Sequence, residues 1–256
     1  MSETIHLDTS REQRGFIRSP VYGQVPLDFL AQGENHPCPY LAGNTAREEV
    51  FRAVEFPPEL YHDFMNYGFR RSGTYFYRPV CEDCRECRPI RIDASDYRPA
   101  KSHRRILRLN QDIDVRIGRP RFTKDKFKIY SDYLASQHGS GPDLSVGSMK
   151  DFLYISPIAT FEFEYWLRRR LLAAGIVDVC SRSLSSVYAF YDPDFCSRSL
   201  GTFSAVQELL LCRRQGIVHY YLGFFVKDCP SMNYKARFKP HEILNKSFQW
   251  IRDERW

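Results

Sequence analysis

Several things are missing from this 256-residue chain, and each absence excludes something. No stretch free of Asp, Glu, Lys and Arg exceeds 12 residues, as in Gln215–Val226. A membrane-spanning helix needs about 20 mostly apolar residues, so none is expected. The opening MSETIHLDTSREQRG has no apolar core, so no secretory signal is expected, and eight Cys without one point to a reducing compartment. Glycine and proline number only 14 and 15, too few for a fibrous or low-complexity chain. There is no Walker A, no G-x-G-x-x-G and no H-E-x-x-H, so nothing points to ATP, NAD or zincin chemistry. Histidine is sparse at 7, with no G-x-S-x-G serine for it to serve, which argues against a hydrolase triad.

What is present is ordinary in amount and uneven in placement. The chain is 43% hydrophobic and 27% charged, as expected of a globular protein. Of its net charge of +6, the run Tyr97–Lys128 carries 11 Lys and Arg against three Asp, a local +8 that leaves −2 elsewhere. Such a stripe suits a polyanion such as nucleic acid. It is equally compatible with a solvated helix face.

The apolar rhythm gives an α+β order. Residues 1–30 read as an irregular lead-in, and His36–Phe51 as turn chemistry followed by helix. Strands are expected at Thr74–Arg78, Pro89–Ile92, Phe161–Leu167, Leu171–Cys180, Ser186–Tyr191 and Val218–Val226. Helices are expected at Pro58–Tyr67, Lys101–Gln111, Lys124–Gln137 and Thr202–Gln215, the last stopped by Gly216. His138–Lys150, rich in Gly and Ser, reads as a loop. Three strands, a helix and a strand imply a mixed sheet flanked by helices, resembling the core of GNAT-type acyltransferases. The chain divides into a Cys-containing region with a basic helix, residues 1–110, and this core, 111–256.

Cys81, Cys84 and Cys87 form a C-x2-C-x2-C run, and Cys38 lies in a Pro-flanked turn. Four thiolates would suit a structural zinc ion or an iron–sulfur cluster; the alternative is reduced, metal-free thiols. Cys180, Cys196, Cys212 and Cys229 have no ligand spacing and read as small core residues. Arg198, Ser199 and Gly201 lead into the 202–215 helix, whose first N–H groups suit an anion. Their R-x-x-G spacing resembles the pyrophosphate loop of GNAT enzymes, although Phe203 is expected to crowd such a group.

Six stretches occur in one order: GFRRSGTYFYRPVC, CRPIRI, YRPAKSHRR, VYAFYDPDFCSRSLGTF, YLGFFV and MNYKARFKP. Together they resemble the aminoacyl-tRNA–protein transferases, and the chain length and Cys spacing look like the bacterial aspartate/glutamate leucyltransferase branch. The resemblance implies transfer of an aminoacyl group, leucyl first and arginyl as the alternative, from tRNA to proteins beginning with Asp or Glu. Such transfer marks the acceptor for N-end rule degradation. The donor is an ester, so no cofactor is needed for the chemistry. In that light Tyr234 is the expected proton donor to the leaving ribose oxygen and Lys235 the charge stabiliser. Arg70, Arg71 and Ser72 suit the acceptor carboxylate or a tRNA phosphate. Arg237, Arg198, Ser199 and Gly201 complete the substrate set, the loop taking the terminal nucleotide. Lys101, His103, Arg104, Arg105 and Arg108 suit the tRNA backbone. An arginyl pocket would need an acid, for which Glu162, Glu164 and Asp178 are candidates. The competing readings are a GNAT enzyme using acyl-CoA and a non-catalytic RNA-binding module with a zinc knuckle. The sequence leaves oligomeric state open.

Overall fold

The computed structural model describes residues 16–138 and 144–252. The 1–15 lead-in and part of the expected 138–150 loop lie outside them; within that loop, Val146–Met149 is a short helix. In chain order the strands are β1 Phe16–Ser19, β2 Gly23–Pro26, β3 Ala31–Gln32, β4 His36–Pro37, β5 Thr45–Ala46, β6 Glu48–Arg52, β7 Arg70–Ser72 and β8 Tyr75–Pro79. They continue as β9 Arg88–Asp93, β10 Ile113–Gly118, β11 Thr160–Leu167, β12 Arg170–Val179, β13 Ser183–Tyr191, β14 His219–Phe225, β15 Glu242–Leu244 and β16 Trp250–Arg252.

Eight strands build one sheet in the order β10-β11-β12-β13-β14-β9-β15-β16. Strand β12 is buried from Leu171 to Asp178 because both of its faces are covered. Ala173 and Val177 join the core beneath the Leu200–Gln215 helix, while Ala174 and Ile176 join the one beneath Lys124–His138. The α+β class and the mixed sheet flanked by helices are therefore found. The expected division at residue 110 is not a boundary in this sheet: β9, from the first region, pairs with β14 on one side and β15 on the other.

One pairing in the sheet is parallel, β13 with β14, joined by the Leu200–Gln215 helix. A parallel connection requires such a crossover. The register holds only from Ser183–Ser185 to His219–Tyr221. Beyond it the ladder stops and the two strands splay, and Gly223 and Phe224 of β14, which the candidate site uses, lie past the last pair.

A second sheet, β3-β6-β8-β7, packs with the Pro58–Asn66 helix on an aromatic cluster. Here the expected helix within His36–Phe51 is corrected. Glu48–Arg52 is a strand between β3 and β8, and Phe51 stacks on Phe76 at 4.9 Å between ring centroids. Pairing on both sides outweighs the modest helix propensity of AREE.

Candidate active site

The segment Pro230–Arg237 folds as a short helix and a 3-10 turn against β14. Tyr234 is half-buried against the main core, in the field of Tyr133, Tyr191 and Glu208. Burial raises its phenol well above the ordinary range, so it stays protonated at neutral pH. Among the described residues its hydroxyl has no hydrogen-bond partner. Lys235 has a different environment. It is buried, its Nζ donates to the Phe224 carbonyl at 2.8 Å, and Met232 Sδ lies at 3.4 Å. Burial first, and the charge of Arg70 second, bring its ammonium down to about 7. Adjacent in sequence, the two side chains serve different surroundings.

Arg70 and Arg71 alternate on β7 and also part company. Arg71 donates from Nε and Nη2 to Asp178 at 2.7 and 2.8 Å, and from Nη1 to the Gly73 carbonyl at 2.7 Å. Thr160 adds a 3.0 Å bond to the same carboxylate. The fork is satisfied within the fold, which corrects the expectation that Arg71 takes a substrate anion. Ser72 is half-buried opposite Tyr75. Arg70 donates only to the carbonyls of Phe69 and Gly223, and its Nε is buried without a partner. Burial lowers its pKa, and its face lies over Tyr221 at 5.1 Å.

A carboxyl that the sequence reading passed over lies under the splay. Glu208 is 1% exposed and accepts from Ser204 and Tyr220 at 2.7 and 2.8 Å, with Ser186 also bonded. Gly175 makes room for it: a Cβ there would stand 3.1 Å from Oε1. The signal was Ser204 at i−4 and Cys212 at i+4, small neighbours on an inward face. Burial raises Glu208 from an ordinary 4.5 to about 7. The native state therefore holds a proton that the unfolded chain releases. Stability from this group is full below pH 4.5, falls as pH rises to 7, and totals up to about 3 kcal/mol. His62 and His219, lowered to about 4 by burial, slope the other way over nearly the same range. The readout is thus the difference between Glu208→Gln and wild type in urea unfolding. The variant should gain relative stability from pH 5 to 7 and level off above it, and a flat difference across pH 5 to 7 would contradict a buried titrating carboxyl.

The expected nucleotide loop is engaged elsewhere. Arg198 donates from both Nη atoms to Asp112 at 2.7 and 3.0 Å, and Asn110 bonds its carbonyl. This corrects Arg198 as a free phosphate ligand. Ser199 adopts φ 54°, and Gly201 faces Tyr191 at ordinary contact distance. Phe203 does not crowd the helix start, since it is 1% exposed and packs on Tyr165.

On the Lys101–Leu109 helix, Lys101, Arg104, Arg105 and Arg108 are exposed, and among the described residues none has an acidic partner. His103 is corrected. It is buried, bonded to the Tyr97 hydroxyl at 2.8 Å and packed on Phe238. Arg237, expected in the substrate pocket, is exposed; burial first, and the charge of Arg237 second, lower the pKa of His103, which puts Arg237 beside this helix.

Cys38, Cys81, Cys84 and Cys87 line one cavity of about 220 Å³ with Tyr40, Tyr77 and Phe224. Burial, then the other three thiols, push Cys87 up to about 12. The Leu41 N–H points at Cys38 Sγ at 3.4 Å. As placed, no three His, Cys, Asp or Glu among the described residues form a metal cage. Cys180, Cys212 and Cys229 are buried as expected, whereas Cys196 is exposed.

With this geometry in place, the comparisons with known proteins are specific. The family described as arginine-tRNA-protein transferase matches in both halves, its N terminus over residues 36–105 and its C terminus over 125–245. A protein of Alkalilimnicola ehrlichii named aspartate/glutamate leucyltransferase is 36% identical over 88% of this chain and 95% of its own. One of the same name from Pseudomonas putida is 37% identical over 88% and 96%. The chain belongs to the aminoacyl-tRNA–protein transferase family. Among solved structures, FemX matches at a TM-score of 0.43 and 8% identity, covering 86% of this chain and 82% of that one. At that score it adds nothing to the fold described above. Among the described residues, no helix is long and apolar enough to cross a membrane.

Proposed function

We propose that this protein transfers leucine from charged tRNA to the α-amine of proteins that begin with Asp or Glu, marking them for N-end rule degradation in the cytoplasm. Family membership supports the reaction class. The observation that carries the tRNA part is the face of Lys101, Arg104, Arg105 and Arg108, exposed and without acidic partners among the described residues. The donor choice has its own support. Glu162 and Glu164 are tied to Lys126 at 2.5 and 2.6 Å, and Asp178 to Arg71. None of the three candidate acids is left for an arginyl guanidinium.

The reaction is aminolysis of an ester. The neutral amine attacks the carbonyl carbon, a C–N bond forms, the C–O bond to the ribose breaks, and the ribose oxygen takes up a proton as the amine gives one up. An α-amine has a pKa of about 7.7–8.0, so a useful fraction is already neutral near pH 7. The protonated Tyr234, in the β13/β14 splay, is the group we assign to the leaving oxygen. The cysteine cavity supplies the donor set for a structural zinc ion or iron–sulfur cluster held by Cys38, Cys81, Cys84 and Cys87. Elemental analysis after anaerobic purification should find stoichiometric zinc or iron. Traces alone would leave the thiols metal-free.

The RNA face is tested by salt. Arg104→Glu with Arg105→Glu should weaken leucyl-tRNA binding roughly tenfold or more and flatten its salt dependence by about two phosphate contacts. Unchanged affinity and slope would remove this helix from the RNA surface.

A further inference from the structure

Arg70 and Lys235 are two buried basic side chains of this site, and among the described residues neither has a counter-ion. Among the described residues no carboxylate lies within ion-pair distance of either. Asp178, the carboxylate beside β7, is taken by Arg71. Both cations converge on one irregular stretch of β14. Arg70 Nη2 donates to the Gly223 carbonyl at 3.4 Å, and Lys235 Nζ donates to the next carbonyl, Phe224, at 2.8 Å. The strand bulges between Tyr221 and Gly223, where Gly223 adopts φ 91°. A Cβ on Gly223 would stand 3.4 Å from Lys235 Nζ. That backbone conformation favours glycine.

Burying a charge without a partner is costly, so a fold retains such a pair for an anion that it does not itself supply. We propose that Arg70 and Lys235 form the pocket for the side-chain carboxylate of the acceptor's first residue. The assignment rests on the transferase reading above and gives its acceptor rule a location. Two features favour a carboxylate over a tRNA phosphate. Arg70 lies over Tyr221, which belongs to the aromatic core. Its neighbour Tyr220 belongs to the opposite core, on which Ile106 and Leu107 of the basic helix pack. Successive strand residues face opposite ways, so the Arg70 guanidinium lies on the side of β14 away from the basic helix. The pocket is also closed: Arg70 and Lys235 are 4% and 8% exposed, which suits a terminal side chain better than a continuous backbone. Asp and Glu carry their carboxylate one or two methylenes from the α-carbon, so anchoring it fixes the amine close by.

The test uses the full-length protein with Arg70→Met, Lys235→Met and Arg70→Lys. Peptides beginning with Asp, Glu, Asn or Gln are compared in leucyl transfer, and their binding without tRNA is measured by calorimetry. Each Met variant should raise KM for Asp and Glu peptides roughly thirtyfold or more, with the Asp-over-Asn preference falling toward one. Arg70→Lys should keep part of that preference. Leucyl-tRNA affinity should be unchanged, and the melting temperature of Arg70→Met should fall far less than that of Arg71→Met, since it strands two backbone carbonyls and no carboxylate. Retained preference for Asp over Asn, in transfer or in calorimetry, would overturn the assignment. So would loss of leucyl-tRNA affinity with acceptor binding intact, which would give the two cations to phosphate. If wild type transfers leucine to no peptide, the transferase reading fails. Calorimetry on the Asp and Asn peptides then still decides whether a carboxylate pocket exists.

Discussion

Arg71→Met is expected to destabilise the protein by about 3–5 kcal/mol in urea unfolding, because it strands Asp178 as an uncompensated buried charge. Both side chains are fully buried and joined by two bonds of 2.7 and 2.8 Å. Adding Asp178→Asn to Arg71→Met should recover much of the loss, since the stranded charge is then gone. A loss of less than about 1 kcal/mol for Arg71→Met would mean that the pair is solvated or replaceable. The contrast with Arg70 is the informative part. Two neighbouring arginines on one short strand should respond oppositely, one needed for the fold and the other for acceptor choice.

Tyr234→Phe is expected to lower leucyl transfer by about a hundredfold to ten-thousandfold, the usual contribution of a positioned proton donor. The ring packs on the main core, and Phe preserves that packing, so folding and leucyl-tRNA binding should be unchanged. The loss should appear in kcat and leave acceptor KM unaltered. A drop smaller than about threefold would remove the hydroxyl from the chemistry and leave Tyr234 a packing residue.

Much of the sheet and its helices could be read from periodicity, because long apolar runs such as Leu171–Val179 have few alternatives. The errors fall where long-range pairing decides. Glu48–Arg52 became a strand through neighbours on both sides that a local reading does not contain. The Arg71–Asp178 pair spans 107 residues of sequence, so nothing near Arg71 announced that its fork was taken. His103 was legible and was misread. It shares a face with Ile106, Leu107 and Asn110, at i+3, i+4 and i+7, which is the inward stripe of that helix, while the bases around it point out. Arg198 carried a phosphate-loop spacing, yet Asp112 sits where it can hold the guanidinium. The motif spacing picked out the cations, and contacts between distant residues decided which of them are engaged within the fold.

The central claim is tested most directly by mixing the purified protein with tRNA charged with labelled leucine and peptides beginning with Asp, Glu or Ala. Label is then followed on the peptide. The account predicts label on the Asp and Glu peptides and none on Ala. Failure to label any peptide, or equal labelling of the Ala peptide, would contradict it.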